Sequence, residues 1–279
     1  MLDLRTLRRA FGQAADGERG RLSAEVGARL LERLDGLRFE PGVVVDLGSG
    51  AGLRTRALAE RFGSARIVAM DRSLRALASG GTRRGWFRRR FQRVAADPDA
   101  LPLAESSVGL LHANLALPWV VDLPALLNAF RRVIEPGGLV LFSTFGPDTL
   151  RELRQCRARI GADLDPGAFV DVQTIGDAML RAGFAEPVLD TDWITSTYRR
   201  PADLLAELDG LCPGRVRDRD ETAGLATAYE AFRLDSGLYP ATWEVVYASA
   251  WGPDEGAPIR SYHGEEASVS IASIGRRQR

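Results

Sequence analysis

The chain has 279 residues, 45% hydrophobic and 27% charged, which suits one large globular domain or a domain with an appendage. Its 37 acidic residues are balanced by 37 basic ones, so the formal net charge is zero and no general attraction to nucleic acid or a membrane is expected. Every basic residue is arginine; without lysine there is no Walker A loop and no Schiff-base chemistry.

Cys156 and Cys212 are isolated and form no C-x-x-C pair, which points to free thiols in a reducing compartment. His112 and His263, far apart, argue against a zinc site and against a Ser-His-Asp triad. Met1–Arg5 opens no apolar signal region, and no apolar run approaches the ~20 residues of a membrane span. A cytoplasmic location is expected.

Residues 1–40 read as a helical segment. Leu22, Val26, Leu30, Leu31 and Leu34 recur at spacings of three and four, one buried face, until Pro41-Gly42 breaks the pattern. The earlier stretch Arg8–Ala15 suits a lid or, equally, a solvated arm. Val43-Val44-Val45-Asp46-Leu47 follows, a β-branched run typical of a strand covered on both faces. Gly48-Ser49-Gly50-Ala51-Gly52 then turns into the helical pattern Leu53–Phe62. Glycine allows positive φ and lets a ligand approach the main chain. A dinucleotide loop needs G-x-G-x-x-G, whereas here the third glycine comes one residue early. Asp46-x-Gly48-x-Gly50-x-Gly52 instead resembles motif I of the class I S-adenosyl-L-methionine (SAM)-dependent methyltransferases, whose loop passes under the methionine part of the cofactor.

The second strand, Arg66–Met70, ends at Asp71, 19 residues after Gly52. An acid there can accept from both ribose hydroxyls; capping the helix Ser73–Ser79 is a compatible role. Arg72 is included in the expected cofactor set. Arg83–Arg90 interleaves arginines with Trp86 and Phe87, and reads as a solvated face, with nucleic acid or an acidic partner protein as the other options. After a third strand near Phe91–Ala95, Ala96-Asp97-Pro98 places an acid where the resemblance implies a hold on the adenine amino group; a plain Asp-Pro turn is the other reading.

The fourth strand, Val108–His112, runs on to Asn114-Leu115-Ala116-Leu117-Pro118-Trp119. DNA adenine methyltransferases have Asn-Pro-Pro-Tyr here, and this chain does not. Asn114 and Leu115 are expected at the cofactor or substrate mouth. Helix Leu123–Ile134 stops at Pro136-Gly137-Gly138, and Leu139–Thr144 is the fifth strand. Five strand–helix alternations give a doubly wound, mostly parallel sheet of α/β class, with ligands at the carboxyl ends of its strands. Asp46, Asp71, Asp97 and Asn114 all fall at those ends.

Phe145-Gly146-Pro147-Asp148-Thr149-Leu150-Arg151-Glu152-Leu153-Arg154 narrows the resemblance to the malonyl-acyl-carrier-protein O-methyltransferases of biotin synthesis. Asn114–Leu117, Ile175–Phe184 and Thr242–Tyr247 fit the same family. The likeness covers roughly residues 5–252. It implies a seven-stranded Rossmann-like methyltransferase sheet with a helical insertion, SAM as cofactor, and methylation of the free carboxylate of malonyl on acyl carrier protein. A carboxylate is already ionised at neutral pH, so no general base is needed. Arginine suits the carboxylate with its fork of donors. Arg151 and Arg154, three apart on one helical face, and Arg199 are the candidates, with a surface arginine as the ordinary alternative. Helices over roughly 148–237 are read as a substrate cap lined by Phe169, Trp193 and Tyr198.

The expected division is a helical segment 1–40, a SAM-binding core 41–147, a cap with the final strands 148–252, and a tail 253–279, in part disordered. The chain departs from the family at Glu18, where a tyrosine is usual, at Pro118, and at Cys212–Arg215. A methyltransferase for another small acceptor, or a non-methylating SAM-binding paralogue acting as hydroxylase or binding module, are therefore the alternatives.

Overall fold

The computed structural model describes residues 21–80, 91–98, 100–117, 122–160, 169–211, 219–254, 259–261 and 264–266. Glu18, the Arg83–Arg90 stretch, Pro118-Trp119, Cys212–Arg215, His263 and the end of the tail lie outside the described residues.

A helix α1 (Arg21–Glu32) precedes a run of alternating elements: β1 (Val43–Leu47), α2 (Leu53–Arg61), β2 (Arg66–Asp71), α3 (Leu74–Ser79), β3 (Gln92–Ala95), β4 (Val108–Asn114), α4 (Leu123–Val133) and β5 (Ile134–Phe145). Then come α5 (Arg151–Ile160), α6 (Val172–Arg181), β6 (Ala185–Tyr198), α7 (Pro201–Leu211), α8 (Arg219–Tyr229), a 3₁₀ turn (Glu230–Phe232) and β7 (Tyr239–Trp251). A small hairpin, β8 (Ile259–Ser261) with β9 (Gly264–Glu266), follows.

Seven strands form one sheet in the order β3-β2-β1-β4-β5-β7-β6. β1 to β5 are parallel, and β7 runs antiparallel between β5 and β6. The doubly wound α/β class expected from the sequence is therefore observed. The Val/Ile/Leu runs explain it, because the central strands are covered on both faces. Val44, Leu110 and Leu141 pack with α1 and α2 through Val26, Leu30 and Leu58. Val45, Leu111 and Val140 face the other way, onto Leu127 and Phe130 of α4 and Met179 of α6. The order in which strands are added to the sheet reverses between β1 and β4, which is the switch point where such sheets bind ligands.

Two expectations change. β5 begins at Ile134 rather than Leu139: Ile134 pairs with Val108, residues 135–138 bulge out, and pairing resumes at Leu139 with Leu110. Gly137 takes φ 70°, and Gly252 clamps the bulge through bonds to Gly137 and Gly138. The helical stretch expected over 148–237 is divided by the long strand β6. β6 is an edge strand with alternating exposure and three acids, and the end of α1 with the turn after it guards it: Arg29 pairs with Asp192 and Arg33 with Asp190. Arg33 also lies over the ring of Tyr247, 3.5 Å from its centroid, and burial pushes that phenol up to about 12. Among the described residues no helix is long and apolar enough to cross a membrane, and Cys156 is a buried free thiol.

Candidate active site

The loop between β1 and α2 takes its shape from its glycines. Gly48, Gly50 and Gly52 have φ of 72°, 53° and 81°, in the left-handed region that costs other residues about 1–2 kcal/mol. A Cβ on Gly48 would come 2.8 Å from Cβ of Ala116, so the loop lies tight against the end of β4. Among the described residues, a Cβ on Gly50 would meet nothing within 4 Å, so the described part of the protein leaves the loop open on that side. Ser49 N donates to the Met70 carbonyl at 3.0 Å, and Gly52 N to that of Ser49 at 2.8 Å.

Asp71 ties the loop to β2. Its Oδ2 accepts from Gly50 N at 2.8 Å and its Oδ1 from Ser73 N at 2.7 Å. The cap of α3 is Ser73, whose Oγ accepts from Ala76 N; Asp71 thus supports the cap rather than making it. Ala96 N donates to the Asp71 carbonyl at 3.2 Å, and the Arg72 guanidinium pairs with Asp97. Four of the expected residues, Asp71, Arg72, Ala96 and Asp97, therefore form one wall at the ends of β2 and β3.

The opposite wall is the end of β4. Asn114 Nδ2 donates to the carbonyl and hydroxyl of Ser23 at 3.0 and 3.3 Å. Ser143 Oγ donates to Asn114 Oδ1 and accepts from Leu115 N, each at 3.0 Å. Arg54 Nη2 reaches the Ala24 carbonyl at 2.7 Å. Burial pulls this guanidinium below its usual value, and the charge of Asp46 opposes the shift. A Cβ on Gly27 would sit 2.9 Å from Asn114 Nδ2. A glycine there lets α1 lie directly on the two side chains.

Asp46 does not reach the loop surface. It is 1% exposed, its Oδ2 accepts from Thr55 Oγ1 at 2.5 Å, and its Oδ1 lies 2.8 Å from His112 Nδ1. Of the expected cofactor set, Asp46 is the member turned into the protein, because the alternation of β1 points it at α2.

Beyond β5, the turn 146–150 is held by β7. Gly146 N and Thr149 Oγ1 both donate to the Glu244 carbonyl, and Asp148 N donates to Glu244 Oε2 at 2.5 Å. The Glu244 carboxylate occupies the place a Cβ on Gly146 would take, its oxygens 2.6 and 2.7 Å away. Leu150, at φ 57°, donates its N–H to the Thr242 carbonyl at 2.6 Å. Arg154 follows, its Nη1 folded back onto the Pro147 carbonyl. Arg151 is exposed, with Nε 3.6 Å from Glu152. That acid is buried and points inward, accepting from Thr242 N and Oγ1 at 3.0 and 2.5 Å. Arg199 is exposed between β6 and α7, apart from this turn in the chain.

Phe169 packs on Phe145 at 5.6 Å, and Phe145 on Trp243 at 5.3 Å. Tyr198 is buried and donates to Glu207 at 2.7 Å; burial pushes its phenol up, with the Glu207 bond adding to the shift. Trp193 is 56% exposed on the edge strand and lines no interior, a correction to the expected cap lining. The sequence reading did not single out Ser143, Glu152 or Glu244. Glu244 sits in Trp243-Glu244-Val245-Val246, and an acid inside such an apolar strand run is the signal that could have found it.

The family model described as "Methyltransferase domain" matches residues 45–142, from β1 to β5. Over its whole length the chain is 40% identical to the malonyl-acyl-carrier-protein O-methyltransferase of Halorhodospira halophila, covering 97% of that protein. Among solved structures, it resembles the YcgJ protein from Bacillus subtilis with a TM-score of 0.57 and 15% identity, over 82% of this chain and 98% of that one. The Haemonchus contortus phosphoethanolamine N-methyltransferase 2, solved in complex with S-adenosyl-L-methionine, matches with a TM-score of 0.54 and 16% identity, over 82% of this chain and 52% of that one. These two likenesses are of fold.

Proposed function

The chain belongs to the malonyl-acyl-carrier-protein O-methyltransferase family, and from that premise we propose that it transfers the methyl group of SAM to the free carboxylate of malonyl-acyl carrier protein. The observation that carries the reading is the full-length likeness to a protein of that name, with the glycine loop intact. The loop suits the cofactor: it is open above Gly50 and flanked by the acids Asp71 and Asp97. SAM supplies a methyl group on a sulfonium, an electrophile that a carboxylate can attack without losing a proton.

The chain's own residues then need only bind, align and keep out water. Gly48, Ser49, Gly50 and Gly52 would run beneath the methionine part. Asp71 would accept from the ribose hydroxyls with lone pairs left over from Gly50 and Ser73. Ala96 and Asp97, the latter steadied by Arg72, would meet the adenine, and Asn114 and Leu115 would border the mouth. Asp46 would act from beneath the loop.

On the acceptor side, we assign the malonyl carboxylate to Arg151 and Arg154 ahead of Arg199, since both follow the turn at the β5 rim. Among the described residues, Arg154 spends one donor on Pro147 and keeps the others of its fork. The core 41–147 would thus hold the cofactor, and the segment 148–252 the acyl carrier protein's cargo. All of this fits an enzyme working in the cytoplasm.

The test is transfer of labelled methyl from SAM to malonyl-acyl carrier protein, beside acetyl-acyl carrier protein, which lacks the free carboxylate. Label in a base-labile ester on the malonyl form alone is expected. No transfer by a protein that binds S-adenosylhomocysteine, or equal transfer to the acetyl form, overturns the assignment.

A further inference from the structure

We propose that His112 is a positioning residue for the cofactor loop, acting through a buried Thr55–Asp46–His112 bracket. The proposal rests on the SAM reading for its consequence, but the bracket itself stands on geometry. Asp46 and His112 are direct partners in the β1–β4 register, at the switch point of the sheet. His112 is fully buried, and so is Thr55, in the first turn of α2. The Asp46 carboxylate takes one donor from each, Thr55 Oγ1 at 2.5 Å and His112 Nδ1 at 2.8 Å.

The positions of these three residues give the bracket its function. Asp46 lies two residues before Gly48, and Thr55 three residues after Gly52. The Asp46–Thr55 bond therefore fixes the separation of the two ends of the loop. The bond to His112 fixes where Asp46 itself sits, by anchoring it to the neighbouring strand. Only Nδ1 of the imidazole is engaged; Nε2 is buried without a partner among the described residues. The proton between the two is assigned to Nδ1, because an ionised carboxylate oxygen can only accept. Apolar residues surround the bracket on this face of the sheet, including Val44 and Leu110 beside Asp46 and His112. A carboxylate buried there needs its partners, and losing one shifts it rather than leaving it in place. Positive φ at Gly48, Gly50 and Gly52 leaves the loop backbone little stiffness of its own, so its shape depends on these anchors.

The bracket predicts a difference between two variants of similar polarity. In His112→Asn the amide nitrogen hangs from the same carbon as Nδ1 and can still donate to Asp46. In His112→Gln it is one atom further out and cannot take that position. Calorimetric titration with S-adenosylhomocysteine should give an affinity for His112→Asn within about threefold of wild type, and for His112→Gln about tenfold weaker, the size of one lost charge-assisted bond. KM for SAM should rise in the Gln variant, with kcat at saturation and KM for malonyl-acyl carrier protein unchanged. A merely structural histidine would weaken stability in both variants alike and leave the affinities equal; that result overturns the proposal.

Amide hydrogen exchange over residues 47–53 of the ligand-free protein supplies a readout independent of the cofactor. Exchange should be faster in His112→Gln than in wild type or His112→Asn. Should His112→Gln not fold, Thr55→Val removes the other donor and must show the same faster exchange and weaker binding. Unchanged exchange in these variants sinks the bracket even where S-adenosylhomocysteine binds normally. Failure of the wild type to bind S-adenosylhomocysteine sinks the SAM reading, and with it the role in cofactor binding, while the exchange data still decide whether His112 orders the loop.

Discussion

Asp71→Ala separates support of the loop from contact with the ligand. The wild-type carboxylate receives Ser73 N at 2.7 Å and Gly50 N at 2.8 Å. The Ser73 amide is buried, so removing its acceptor leaves an orphaned donor worth about 1–3 kcal/mol. The Gly50 amide is only part-buried, and water can take over, which limits that loss to roughly 1 kcal/mol. The variant should therefore unfold in urea about 2–4 kcal/mol sooner than wild type. Affinity should fall further, because the proposed ribose contacts go with the carboxylate. One or two such bonds amount to about 1–3 kcal/mol, or roughly 5- to 150-fold in the dissociation constant. Titration with S-adenosylhomocysteine below the unfolding temperature measures it. Near wild-type affinity in a folded Asp71→Ala protein would remove Asp71 from the cofactor site.

The same reasoning extends to five other positions. Trp243→Ala deletes a fully buried indole stacked near Phe145 and should cost about 3–5 kcal/mol in urea unfolding; a loss below about 1 kcal/mol would show that the ring is not a packing anchor. Gly48→Ala forces a side chain into φ 72° with its Cβ 2.8 Å from Ala116, so stability should drop by about 1–2 kcal/mol or more and S-adenosylhomocysteine affinity with it. Gly63→Ala, with nothing within 4 Å among the described residues, is the control and should stay within about 0.5 kcal/mol. Ser143→Ala removes the partner of both Asn114 Oδ1 and Leu115 N, each part-buried and open to water, and should lower stability by about 1–2 kcal/mol in the same assay. Asp171 caps α6, and the Thr174 amide and hydroxyl hold its carboxyl below the usual carboxylate range. A depressed folded-state value means the contribution is present above the unfolded pKa of ~3.9 and lost below the folded one. Asp171→Ala should thus be less stable by about 1 kcal/mol at neutral pH, with the gap closing as the pH falls into the acid range.

The parallel half of the fold was legible because burial on both faces writes itself into composition. Val43–Val45, Ile67–Met70 and Leu139–Phe142 are apolar runs that leave little choice but a covered strand. Glycines and Pro-Gly pairs then marked the turns between them. β6 was missed for the opposite reason. As an edge strand it buries one face only in part, carries Glu186, Asp190 and Asp192, and contains Pro187. Those features protect an edge from mispairing and also erase the strand signal. At the site, Asp71 was found from its spacing to the loop. The His112–Asp46 bond was not, because it depends on β4 lying beside β1, a pairing 66 residues apart in the chain. Glu244 likewise serves the turn after β5 from 95 or 96 residues away.

Two leucines at the rim, Leu115 and Leu150, have φ of 49° and 57°, where glycine would fit without strain. Each conformation costs about 1–2 kcal/mol. Leu150 is fully buried in the core shared by the sheet and α5, and burying a leucine returns about 1.5–3 kcal/mol. The balance favours leucine there, so a sharp turn immediately after a strand is held by apolar packing instead of by glycine freedom. Leu115 is partly buried against the same core, and its N–H is taken by Ser143, as that of Leu150 is by Thr242. Both turns are therefore fixed on two counts, by apolar packing of the side chain and by a satisfied amide. A reaction that needs alignment more than acid or base chemistry gains most from a mouth whose two sides are set before either reactant arrives.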